Sequence, residues 1–431
     1  MISGWNNSDF YVPNDVHVGG SLIGSIPTTP SDLYPQVKIV AKSGAPYSTI
    51  TAAQTAITDN SPSKIYTVLV FPGEYDEALT LKDYVNIIAI DPFNTYILRQ
   101  VTDGGVAVHC NLKINIDNRQ IGGSHGLYLK AASVVRFDGN ITGAVGSYSL
   151  GVSAGAGIYN EAAGIVTVLN GNITGGKTGS TYTTGGHGIY NHSTGKITVL
   201  NCKVTGGSND DYYNNSGGNG IYNNSTGIVI VSYSNIAGGK NSSFGGTSGK
   251  GIYNKSTGTI IFSNGDVTGG EGGEDGQGDG GSGIINEAGT IIILNANITG
   301  GRGEVFYGGK GIYNKSTGTV TFSNGIIKGG KCNRSGGTDG YGIHNVSTGL
   351  VKVSNGKITS LGTKSDSYPI SGGSVILDNC IIYGIHADVP AIYASEPKNV
   401  KLMNVWSNRA LHANITNLIE DGFHVDSNVE I

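Results

Sequence analysis

The eight residues Gly251-Ile252-Tyr253-Asn254-Lys255-Ser256-Thr257-Gly258 recur at positions 311–318. Weaker copies begin at Gly126, Gly157, Gly188, Gly220, Gly283 and Gly342, so successive starts lie 28 to 32 residues apart. A period held that steadily constrains the fold more than anything else in the chain. It means one supersecondary unit stacked on itself many times.

Within a unit the hydrophobic period is two. In Thr259-Ile260-Ile261-Phe262-Ser263-Asn264 the second and fourth residues are apolar, as are Val166 and Val168, Ile197 and Val199, and Val320 and Phe322. The residues between them vary freely (Thr167, Ile230, Lys352), the pattern of a half-buried strand. A third apolar site follows at Ile173, Val204, Ile236, Val267, Ile298, Ile327 and Ile358. Each unit therefore reads as three short strands: G-I-Y-N, the six-residue segment and an N-I-T-like segment. An S-T-G turn and a Gly-Gly-rich loop join them.

Strands this short cannot satisfy their hydrogen bonds within one unit. Stacked units pair each strand with its equivalent about 4.8 Å away, which is a parallel β-helix with one rung per repeat. The Asn of G-I-Y-N (Asn160, Asn191, Asn223, Asn254, Asn286, Asn314, Asn345) shares the inner side with Ile, so the amides are expected to bond one another in a buried ladder. A second column (Asn170, Asn201, Asn264, Asn295, Asn324, Asn355), broken by Tyr233, reads as the same device. The N-x-S/T matches at Asn191, Asn254 and Asn314 fall on ladder positions and are discounted as glycosylation sites.

Residues 47–57 form a short amphipathic pattern with Ser and Thr near its start, a helix placed to cover the first rung. Strands are expected at 66–71, 74–81 and 85–90. This Y-S-T-I-x-A-A segment, with V-L-V-F-P-G-E-Y-D-E-A-L-T-L after it, resembles the start of the pectate-lyase and pectinesterase superfamily of right-handed β-helices. The G-I-Y-N-x-S-T-G unit resembles repeats of polymorphic outer-membrane proteins. These resemblances cover roughly residues 40–360 and imply an all-β, right-handed parallel β-helix with an N-terminal capping helix. They concern scaffold positions, so they imply little chemistry. Residues 1–35 lack a cationic start followed by an apolar run and resemble the head-binding arm of phage tail spikes. The expected divisions are 1–35 arm, 36–125 start of the helix, 126–360 repeat array and 361–431 irregular last rungs. The closing rungs hold strands near 374–377, 380–385, 400–405 and 423–429, with Met403, Trp406 and Phe423 as bulky closing residues.

Composition narrows the partners. The net charge is −4 and no basic stripe appears, which argues against nucleic acid. No apolar run approaches membrane-spanning length. Cys110, Cys202, Cys332 and Cys380 are scattered, Cys202 and Cys332 lying four rungs apart, beyond disulfide reach, so free thiols are expected.

Three features are left for function. The Tyr of G-I-Y-N (Tyr128, Tyr159, Tyr190, Tyr222, Tyr253, Tyr313) faces outward; packing under loops, a subunit interface and a sugar-stacking surface all remain open for it. The variable loops after Gly-Gly line one side of the rod and carry Tyr182, Tyr212, Tyr213, Phe244, Phe306, Tyr307 and Tyr341, candidates for glycan contact. Acids collect in the same loops. Glu274, Asp275 and Glu304 are the candidate catalytic carboxylates for glycoside cleavage. Glu271, Glu274, Asp275 and Asp279 are the candidate ligands if calcium is bound, and no other cofactor is expected. His187, His344 and His386 read as structural. The leading expectation is a homotrimeric virion surface protein of tail-spike or tail-fibre type. Its arm would hold tail or baseplate proteins, and its rod would bind host-surface polysaccharide. A polysaccharide depolymerase, hydrolase or lyase, and a bacterial surface adhesin or structural β-helix are the alternatives, the last placing it outside the cell or at its surface.

Overall fold

A computed structural model describes residues 35–147, 151–178, 183–209, 216–242, 246–273, 278–304, 306–361, 368–384, 390–393, 399–410 and 417–425. The chain winds as a parallel β-helix whose coils cross three sheets in a fixed order. Its crossover connections take the right-handed sense general for parallel strands. The first sheet is built from G-I-Y-N strands, Leu127–Leu129 pairing with Ile158–Asn160, then Ile189–Asn191, and so on to Ile343. The second runs from Val37–Val40 through Ile165–Leu169 and its equivalents. The third holds the N-I-T segments, as in Asn172–Thr174 pairing with Lys203–Thr205. From Thr259–Thr268 onward the second and third strands run together as one bent strand. That continuity is a difference from three separate strands. It leaves the coil path unchanged.

Alternation fixes the core. Val166 and Val168, Ile197 and Val199, Ile260 and Phe262 and the third-site Ile and Val residues are fully buried, forming one column-wise core along the rod. The expected early strands are present as Tyr66–Val70, Gly73–Tyr75, Leu79–Thr80 and Val85–Ala89. The helix spans Ile50–Thr55, with Thr49 and the Glu77 carboxylate accepting from its first amides and Ile50 and Ala53 in the core. The lapse of sequence period near Ser371 does not end the stacking. Ile370–Asp378, Asn399–Ser407 and Asn417–Val425 continue the second sheet in register. The arm at 1–34 lies outside the described residues.

The inner amides form the expected ladder. From Asn160 to Asn345 each Nδ2 donates to the Oδ1 one rung on, at 2.9 to 3.1 Å. The direction is uniform, so the first oxygen, Asn160 Oδ1, is left without a donor. Its neighbour one rung back is Leu129.

The second column differs from the expectation of another core ladder. Its amides do bond along the rod (Asn201 to Asn170, 2.9 Å; Asn324 to Asn295, 3.1 Å) but on the solvent side. Its residues from Asn170 to Asn404 sit at φ between 49° and 62°. They turn the chain from the second sheet to the third in the left-handed region, which Asn tolerates better than other non-glycine residues. Asn is selected here by the backbone, and the exposed bonds follow from it.

The Gly-Gly corner is a third column. Gly176 N donates to Gly155 O, Gly186 N to Gly176 O and Gly207 N to Gly186 O, and the staircase continues to Gly340, at 2.7 to 2.9 Å per step. A Cβ on Gly176 would lie 1.8 Å from Ala144 O, so only glycine allows this approach. Every variable loop is thus pinched at its base by a bond between its two flanking glycines.

Candidate functional site

The outward Tyr of each G-I-Y-N strand is one rung from the next, close enough for ring contact. Tyr128, Tyr159, Tyr190, Tyr222 and Tyr253 stand in file with centroids 4.7 to 5.2 Å apart. The residue before the repeat's Gly adds to the file. His125 stacks on Tyr159 at 4.5 Å, and His187 lies 4.8 Å from Tyr222. Beyond Ile285, where the column lacks a ring, it resumes as Tyr313 stacked on His344 (4.9 Å), then Tyr341, Tyr368 and Tyr393. Lys315 bridges the gap, its Nζ 5.9 Å from the Tyr253 ring and 5.4 Å from Tyr313. The tyrosines of the file are half-buried.

Residues after the repeat's Asn hold the phenol groups. Tyr253 donates to Glu287 at 2.6 Å, Glu287 also receives Lys315 Nζ at 3.2 Å, and Tyr128 donates to Glu161. Burial, with neighbouring charge adding to it, pushes Tyr159 and Tyr222 up to about 12. Burial pulls His125, His187 and His344 down to about 4. Those rings are neutral at ordinary pH, and His125 and His187 accept from the Ala156 and Asn219 amides, the structural role expected of His187. Lys250 and Lys310 flank the same stretch, and neither is paired with a carboxylate among the described residues. Burial, then the Lys315 ammonium, holds both below the ordinary lysine value. The result is a ridge of ring faces and edges with cations along its second half.

The loop candidates are distributed differently. Tyr182, Tyr212, Tyr213, Phe244, Glu274 and Asp275 lie outside the described residues. Phe306 and Tyr307 are exposed beside each other, and Tyr341 belongs to the stripe. Glu304 is held by Asn333 (2.8 and 3.0 Å) and Arg302, and Asp279 accepts from the Phe306 and Tyr307 amides. Glu271 is exposed. Among the described residues no three His, Cys, Asp or Glu gather as an ion would require. His386 lies outside the described residues. Sequence reasoning named the Tyr column but missed His125, Glu161, Lys250, Glu287, Lys310 and Lys315. Their only signal is position, just before or just after the constant G-I-Y-N.

No protein-family model matches the chain, and no curated protein does. Among solved structures it is similar to pectate lyase Pel9A (15% identity, 90% of this chain and 79% of that one, TM-score 0.37). It is also similar to the Dettilon tailspike protein (12%, 90% and 67%, TM-score 0.41) and to the A-module of the Azotobacter vinelandii mannuronan C-5 epimerase AlgE6 (14%, 88% and 93%, TM-score 0.33). At these values the likenesses carry no argument about function. The fold stands on the chain's own strand register.

Proposed function

We propose that this chain is a surface rod of tail-spike or tail-fibre type that adheres to a host-surface glycan along the Tyr stripe. The observation that carries the reading is the file of outward rings from Tyr128 to Tyr393. Aromatic faces fixed on a rigid scaffold stack on sugar rings with little ordering cost, and the loops beside the file add variable contacts. Lys250, Lys310 and Lys315 favour a glycan bearing carboxylate or another anion. The test is binding of purified protein to host envelope polysaccharide. Tyr190→Ala with Tyr222→Ala should weaken it roughly tenfold or more; unchanged affinity refutes the role of the stripe.

A depolymerase is the second reading, favoured by the Tyr253–Glu287–Lys315 cluster between two lysines held below their usual basicity, since proton abstraction needs such a base. Fragment release from the same polysaccharide, lost in Glu287→Gln or Glu304→Gln, would establish it; intact polysaccharide after prolonged incubation rejects it. The expected homotrimer has an apolar surface to use: the outer edges of the second sheet expose Val134, Ile165, Leu200, Ile228 and Leu294. Light-scattering mass decides that point, a monomer counting against it. Immunolabelling of virions and of cell envelopes separates virion from cell surface.

A further inference from the structure

A different side of the rod carries a second feature. The corner between the second and third sheets forms a trough along the rod. The exposed left-handed column (Asn170, Asn201 and onward) makes one wall. The residues two places later, including Asn172, Lys203 and Trp406, make the other. Open grooves of about 580 and 530 Å³ both lie on this corner, the first lined by Phe93, Lys113, Asp138 and Asn140, the second by Asn355, Lys357, Asn379 and Trp406. Phe93 is 81% exposed and Trp406 42%.

Between them stands Tyr233, the one departure from Asn in the column from Asn170 to Asn404. It is held at φ 50° and is 65% exposed. Its ring makes no side-chain hydrogen bond or ring contact among the described residues. Tyr84, the other left-handed tyrosine, stacks on His109 at 5.3 Å. A bulky residue kept in a disfavoured conformation, where every neighbouring rung uses Asn and where its ring gains no hydrogen bond or ring partner among the described residues, carries strain that no such contact offsets. Such outliers mark functional positions.

We infer that this trough is a second glycan-binding surface, taking an extended, largely uncharged oligosaccharide strand along the rod. Tyr233, Phe93 and Trp406 are its stacking platforms. An amide meets the strand at every rung of the column except that of Tyr233, about every 4.8 Å. Asn201, Asn295, Asn324, Asn379 and Asn404 each spend one N–H on the preceding Asn of the column and keep the other, with oxygen lone pairs, for hydroxyl groups. Lys113 stands beside Asp138 on the adjacent strand and Lys203 lines the same groove, so its wall is mixed in charge. This site is independent of the Tyr stripe, and either can fail without the other.

The test uses the full chain with linear hexaoses of glucose and of N-acetylglucosamine, read by calorimetry. Tyr233→Asn is the informative variant. It restores the residue the backbone prefers, so it should unfold no more easily than wild type while binding roughly tenfold more weakly. Phe93→Ala should act likewise. No binding of any hexaose at millimolar concentration, or binding as tight as wild type by both Tyr233→Asn and Phe93→Ala, overturns the proposal. Concentration-dependent self-association abolished by Tyr233→Asn would overturn it in favour of an interface between copies of the chain.

Discussion

Replacing Asn160 by leucine should cost much less than replacing Asn254, although both are fully buried members of one ladder. Leucine fills the space of the amide and so keeps water out. Each side chain lies against a glycine of the next rung, Gly195 or Gly289, so steric effects largely cancel between the two. The hydrogen bonds do not cancel. Asn160 Oδ1 is already without a donor, and its Nδ2 serves Asn191 Oδ1 at 3.0 Å. Leucine there removes one orphan oxygen and creates another on Asn191. At Asn254 the substitution strips Asn286 Oδ1 of its donor and leaves Asn223 Nδ2 with only a long contact to Ser225 O at 3.4 Å. Gly258 O keeps the Thr290 amide. An unsatisfied buried polar group costs about 1–3 kcal/mol, so Asn254→Leu should be worse by about 2 kcal/mol, roughly 30-fold in the local opening equilibrium. A stacked rod need not unfold in one step, so the assay is native-state hydrogen exchange of the first-sheet amides. Equal losses in the two variants, or a larger loss in Asn160→Leu, would show that the ladder's direction has no energetic meaning.

Three further outcomes follow from particular residues. Asn264→Tyr forces a second bulky side chain into the left-handed corner and should destabilise its rung by about 1–2 kcal/mol, seen as faster exchange across residues 259–268; no change refutes the backbone explanation of that column. His125, His187 and His344 have folded values near 4 against about 6.5 when unfolded. Their contribution is intact above pH 6.5 and drains away as pH falls toward 4, so the urea midpoint should drop over that window and drop less in His187→Gln. All four cysteines are buried and in no disulfide, and burial pushes the Cys110 thiol up to about 12; a disulfide reagent at pH 8 should therefore react only after denaturation, and rapid labelling of the native rod would contradict the packing.

Much of the fold was legible because the repeat averages over rungs. One Val-Thr-Val triplet is ambiguous, whereas a column with Val166, Ile197, Val229 and Ile260 defines an inner face. The buried amide ladder was legible for the same reason. The outer Asn column misled because Asn serves two physical ends, amide bonding and a left-handed backbone, and sequence does not show φ. Gly139 at the position equivalent to Asn170, one rung earlier, was the available hint, since Gly and Asn share only the second property. The candidate site was half legible. The rings repeat, but their partners Glu161, His125 and Lys315 change identity from rung to rung and emerge only once register brings them together. At the C-terminal end, irregular spacing hid rungs whose strands still pair in order.

The glycine staircase has a consequence for how such a rod changes over generations. Each loop leaves and re-enters through a single backbone bond, such as Gly207 with Gly218 at 2.9 Å or Gly301 with Gly309 at 2.8 Å. Its described contents bond mainly the equivalent loops of neighbouring coils, as Asn209 does Asn241 and Glu304 does Asn333, so a surface sequence answers to the loops beside it more than to the strand core. The identical stretches at 251–258 and 311–318 occupy the same place in their coils, so removing or repeating the residues from one to the other would shorten or lengthen the rod in whole coils with the strand register kept.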